Sequence, residues 1–207
     1  IEWPTFEEAL GILDIALQRA ESFKGMENSG ENHHINRTRD DLVFLIATVL
    51  KKKLEGEADY HRKLVLRLLG ERRLLKTAFV SLNYEILIDN ALIKSHPDFD
   101  IEYGVEFANY KKLDDWSQPS PEKSVMLYKL HGSLNWLYCP TCTSLTLTQG
   151  EKGVYRIILQ SLPCEMCRTA VIPVLIPPTF FKVMSNFFLV QIWNRTERLL
   201  KEAKRII

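Results

Sequence analysis

Apolar residues recur at helical spacing near the start of the chain. Phe6, Leu10, Leu13 and Leu17 fall on one face and predict an amphipathic helix over 5–20. The stretch 25–37, GMENSGENHHINR, is polar and carries glycine, which predicts a loop. A second helix is expected to begin near Thr38, where Asp40 and Asp41 suit the positive end of the helix dipole. Its inner face would be Leu42, Ile46, Val49 and Leu50. A third runs from about Asp59 to Leu69 and stops near Gly70.

The periodicity then changes. TAFVSLN, 77–83, is a short β-prone run with a polar end, and YEILIDNAL, 84–92, follows with helical spacing. Residues 95–123 are rich in Asp, Pro and Ser and suit a long surface connection. VMLYKLHG, 125–132, predicts a second buried strand with a polar tip, with SLNW (133–136) as a joint after it. SLTLT and VYRIILQ suggest a β-ribbon. VIPVLIPPT, 171–179, suggests a third strand ended by Pro177 and Pro178. A helix over about 186–204 would bury Phe188, Ile192, Trp193, Leu199 and Leu200, and the final RII reads as the start of another strand. The expected fold is α/β. Residues 1–75 form a helical region, 76–138 and 168–207 a partial, Rossmann-like parallel-sheet core, and 139–167 an inserted ribbon.

Composition changes this picture little. The chain has 207 residues, 46% hydrophobic and 26% charged, with net charge +1. Those values fit an ordinary globular domain and give no general pull toward nucleic acid, membrane or acidic partners. No apolar run approaches a membrane span and no secretory signal opens the chain, so a cytoplasmic location is expected.

All four cysteines, Cys139, Cys142, Cys164 and Cys167, fall in one window as two C-x-x-C pairs. Each pair puts two thiolates on one side of a knuckle, and two knuckles complete a tetrahedron. In a reducing compartment this favours metal over disulfides, with zinc as the expected ion. Four cysteine ligands leave no position for water, so the zinc would be structural. Lys152, Arg156 and Tyr155 are too few charges and rings for phosphate tracking with base stacking, which argues against a nucleic-acid ribbon. His33 and His34 read as residues of a solvated loop rather than metal ligands.

The two strand tips raise the second candidate. One ends at Asn83, followed by Tyr84 and Glu85; the other ends at His131 and Gly132. Adjacent parallel strands would bring an amide and an imidazole to one crevice, where the imidazole could act as general base. Gly132 would let a ligand approach the backbone. From spacing alone, a capping asparagine and a satisfied core histidine fit better.

The ordered set SLNYE, KLHGS, C-x-x-C, C-x-x-C and PPT resembles the sirtuin family, and within it the divergent bacterial anti-phage branch. The resemblance covers roughly residues 60–207, and residues 1–55 resemble that branch's variable helical region. It implies a sirtuin-like Rossmann-type domain with a structural zinc ribbon, and NAD as substrate. Asn83 would hold a ribose hydroxyl or the attacking water, and His131 would serve as general base. Tyr84, Glu85 and Gly132 would border NAD, with Glu85 one methylene longer than the family's aspartate. Protein-deacylating sirtuins carry Phe-Gly-Glu after the second cysteine pair; this chain reads VLIPPTFFK there. The expected activity is therefore NAD hydrolysis releasing nicotinamide, in an anti-phage defence role and in a protein able to form homo-oligomers. NAD-dependent deacylation and a non-catalytic NAD- or ADP-ribose-binding or scaffold role are the alternatives.

The family's Gly-Ala-Gly loop has no counterpart between Ile1 and Lys76, and its Gly-Tyr-Ser-type turn has none after RII. The expectation is a truncated domain that binds zinc, binds NAD weakly or not at all and is inactive as a fragment, while the longer gene product cleaves NAD.

Overall fold

The structure, a computed structural model, describes residues 3–24, 31–54, 59–95, 98–108, 122–148, 163–176 and 187–207. It is a mixed α/β fold with two small sheets.

Helix α1 spans Phe6–Arg19. Thr5 and Glu8 close a capping box, the side chain of each accepting from the other's backbone N–H. Helix α2, Glu31–Leu54, packs against α1. It begins earlier than the sequence reading placed it, because a helical start needs no apolar residue once tertiary contacts favour it. His33 and His34 thus belong to a helix rather than a loop. Its inner face is turned one step, so that Ile35, Val43 and Ile46 are buried while Val49 is 48% exposed. Helix α3 covers Tyr60–Gly70, and a 3-10 turn at Leu74–Lys76 leads into strand β1, Ala78–Ser81.

Helix α4, Leu87–Ser95, follows, and then strand β2, Asp100–Glu102. The sequence reading took this region for a surface connection; a strand of 3 residues with one buried side chain, Ile101, is too short to leave a periodic signal. Strand β3, Ser124–Lys129, lies between them and pairs parallel with both, giving the order β1-β3-β2. Ala78 faces Met126 and Ser81 faces Lys129. The two anticipated strands are therefore neighbours, and their C-terminal ends emerge together.

Strand β3 ends at Lys129, and after Leu130 and His131 the chain re-enters extended structure as β4, Gly132–Tyr138. SLNW is thus the body of a strand, not a joint. Strands β5, Leu145–Leu147, and β6, Ile172–Leu175, pair antiparallel on its two sides. The strand at 171–179 was expected in the Rossmann-like core, but β6 belongs to this second sheet. Pro173 is tolerated because the β4–β6 register is broken between Ser133 and Leu137. The irregularity lets Leu134, Asn135 and Trp136 all point into packed surroundings, at 6%, 5% and 0% exposure. Helix α5, Phe187–Glu202, closes the fold. Residues 203–207 are exposed and not a strand, and Leu200 is on the outer side of α5. VYRIILQ and the PPT motif lie outside the described residues.

The larger core joins Val65, Leu74, Leu92, Ile101, Val125, Leu127, Trp136, Leu189 and Ile192. A smaller one joins Leu10, Val43 and Ile46 of the first two helices to Tyr84, Ile86, Leu134 and Leu175. The N-terminal helices are thereby anchored on the strand-tip region.

Candidate functional site

The four cysteine sulfurs lie within 4.8 Å of one another. Cys139 Sγ is 3.5 Å from Cys167 Sγ, and Cys142 Sγ is 3.9 Å from Cys164 Sγ. Zinc–sulfur bonds of about 2.3 Å at tetrahedral angles imply sulfur–sulfur edges of about 3.8 Å. These two edges straddle that figure and all four sulfurs lie within 4.8 Å of one another, an arrangement that suits a single metal ion such as zinc.

Each knuckle is closed by the backbone. Cys139 N donates to Ser144 O at 2.9 Å, and Cys164 N donates to Thr169 O at 2.7 Å. The residue after each pair, Thr143 and Arg168, takes a left-handed conformation with φ 54° and 66°. The metal-free thiols are unequal. Hydrogen bonding with the Thr169 side chain draws Cys167 down to about 6, while hydrogen bonding with Cys167 pushes Cys142 up to about 12.

The strand tips meet as anticipated. Leu130 N donates to Ser81 O at 3.0 Å, which carries the β1–β3 ladder one step beyond the strands. Leu134 N reaches Tyr84 O at 2.9 Å, and Ile176 N reaches His131 O at 2.9 Å. His131 Nδ1 lies 3.0 Å from Leu82 O. A carbonyl can only accept, so Nδ1 carries the proton and Nε2 is the basic nitrogen of the neutral ring. The ring is 8% exposed, with the Tyr84 and Trp193 rings each 6.4 Å away.

Asn83 is exposed, its backbone held by Ser81: Asn83 N donates to Ser81 Oγ, and Ser81 Oγ donates to Asn83 O, both at 3.2 Å. Tyr84 is buried and donates its hydroxyl to Ile176 O at 2.6 Å; burial pushes its phenol pKa above the ordinary value. The Glu85 carboxylate accepts from Leu87 N and so tethers the start of α4. Gly132 has φ +85°, and a Cβ there would lie 2.0 Å from Val174 O. The close approach reserved for a ligand is made by strand β6.

Two features escaped the sequence reading. Lys129 and Asp89 form a buried ion pair at 2.9 Å, both side chains nearly inaccessible. Lys129 stood inside an apolar strand and Asp89 inside a helix, and nothing in their spacing paired them. There is also a cleft of about 590 Å³ beyond the end of β2, lined by Glu102, Tyr103, Phe107, Cys142, Leu145 and Arg195 among others. Arg195 pairs with Glu102 at 3.4 Å at its wall. Neither Asn83 nor His131 lines it. Anticipating it required β2.

No family model and no curated protein matches the chain. No helix among the described residues is long and apolar enough to cross a membrane.

Proposed function

We propose that this chain is a sirtuin-like NAD hydrolase domain in which zinc holds the ribbon. The reaction is NAD⁺ + H₂O → nicotinamide + ADP-ribose + H⁺. The N-glycosidic bond to nicotinamide breaks, its electron pair leaves with the nicotinamide nitrogen, and water oxygen bonds to ribose C1′. The water proton passes through His131 Nε2 to solvent. A transition state with cationic character at the sugar gains from an oriented water and a nearby base. The observation that supports this reading is the parallel pairing of β1 with β3, which brings Asn83 and His131 to neighbouring strand ends, the usual ligand edge of an open α/β sheet.

A second reading rests on its own observation. His131 is 8% exposed and flanked by two rings. A histidine so enclosed can simply knit β1 to the β3–β4 turn, and the domain would then bind NAD or ADP-ribose, or act as a scaffold, without turnover.

Nicotinamide release, measured on the full-length protein, decides between them. The hydrolase reading expects release that falls about 10²–10⁴-fold in His131→Ala and falls clearly in Asn83→Ala. Unchanged release in both variants removes the assignment. NAD binding without release supports the second reading. Faster release on adding an acetyl-lysine peptide, with loss of the acetyl group, replaces water by a deacylase acceptor.

A further inference from the structure

The Lys129–Asp89 pair does more than fill space. The lysine's three N–H donors have three acceptors: Glu85 O, Asp89 Oδ2 at 2.9 Å and Ser133 Oγ at 2.7 Å. Asp89 Oδ1 accepts from Tyr103 OH at 2.7 Å and from Asn135 Nδ2 at 3.2 Å. Ser133 Oγ donates to Asn135 Oδ1 at 2.6 Å and closes the network.

A buried ion pair is a poor device for stability alone. Desolvation cancels much of the attraction, and an apolar pair of the same shape often serves as well. What this pair supplies is direction. Lys129 bonds the loop after β1 through Glu85, helix α4 through Asp89, and the start of β4 through Ser133. Asn83 stands two residues before Glu85, and His131 stands midway between Lys129 and Ser133.

We propose that Lys129 is a positioning residue whose ammonium fixes loop 82–85 against the β3–β4 turn, and so sets the placement of Asn83 relative to His131. Its kinetic consequence rests on the NAD-hydrolase reading; its structural consequence does not.

Lys129→Met alone would strand a buried carboxylate and can fail to fold. The informative variant is Lys129→Met/Asp89→Asn, which removes both charges and keeps a partner for Tyr103 and Asn135. Hydrogen exchange is measured on the wild type, on this variant and on Leu74→Ala, a control in the same core away from the tips. In the double variant, the amides of Leu87 and Leu134 are expected to exchange at least tenfold faster than the change in global stability accounts for. The amides of Leu127 and Cys139 should follow global stability, and Leu74→Ala should not single out the tip. A uniform acceleration in the double variant, or the same tip pattern in the control, overturns the proposal.

Where the wild type releases nicotinamide, the double variant should lose at least tenfold in kcat with KM little changed. An unchanged kcat beside a loosened loop overturns the link to chemistry. A full-length wild type that releases none defeats the hydrolase reading, and exchange alone then decides the role of Lys129.

Discussion

His131 Nδ1 faces the carbonyl oxygen of Leu82 at 3.0 Å, across 49 positions of sequence. The contact joins the end of β1 to the turn after β3 and fixes which ring nitrogen holds the proton. The neutral imidazole is therefore expected as the Nδ1–H tautomer, readable from its two ¹⁵N shifts. A ring protonated on Nε2 alone would break the contact and remove Nε2 as a base.

Gly132→Ala should be severe. The new methyl would sit 2.0 Å from Val174 O and 2.8 Å from Val174 C, on a backbone with φ +85°. Left-handed strain of about 1–2 kcal/mol adds to overpacking of about 1–3 kcal/mol. Urea unfolding should show a loss of about 2–5 kcal/mol. A loss below 0.5 kcal/mol would mean that β6 does not approach as described.

The sequence made some of this legible and hid the rest for physical reasons. Cysteine spacing was readable because one knuckle sets the geometry of two ligands, and the sulfurs do converge. The pairing of β1 with β3 was readable from two apolar runs with polar tips. β2 was hidden because 3 residues carry no period. The role of β4 was hidden because a strand buried on both sides reads as neither alternating nor helical. The Lys129–Asp89 pair was hidden because side chains 40 positions apart are matched only by the fold. Gly132 was seen as special, but the sequence could not say that its neighbour would be another strand.

The cysteine cluster should hold one zinc per chain, measured by native mass spectrometry. Structural zinc in small domains carries about 10 kcal/mol or more of binding free energy linked to folding. Chelation should therefore loosen β4, β5 and the knuckles, and Cys139→Ser should lower zinc affinity sharply. In the stripped protein, Cys167 should alkylate first, being half-buried and drawn down to about 6, while Cys139 is 1% exposed. Equal labelling with and without zinc would count against the cluster as a metal site.

Thr143 and Arg168 hold left-handed conformations, φ 54° and 66°, without being glycine. Closing each knuckle over the sulfurs imposes this backbone, and a side chain there costs about 1–2 kcal/mol. Glycine removes that strain but gives back part of it as unfolded-chain entropy, about 0.5–1 kcal/mol. Thr143→Gly and Arg168→Gly should each stabilise the zinc-loaded protein by about 0.5–1 kcal/mol in urea unfolding. Destabilisation by both would mean that their side chains contribute more than their backbone strain costs.

Tyr84 ties the tip to β6 and gives the fold an alkaline limit. Burial first, and the charge of Glu7 second, raise its phenol pKa in the folded protein. The folded state therefore holds the proton more tightly than the unfolded chain, whose tyrosines titrate near about 10. This contribution is fully present below that unfolded value and is lost as pH rises toward the folded one. Unfolding free energy from this group should thus be flat from pH 7 to 9 and decline above about pH 10. Tyr84→Phe deletes the 2.6 Å bond to Ile176 O and should cost about 1 kcal/mol at neutral pH. It should also make the alkaline decline shallower than in the wild type. Equal alkaline slopes in the two proteins would show that Tyr84 does not titrate with unfolding.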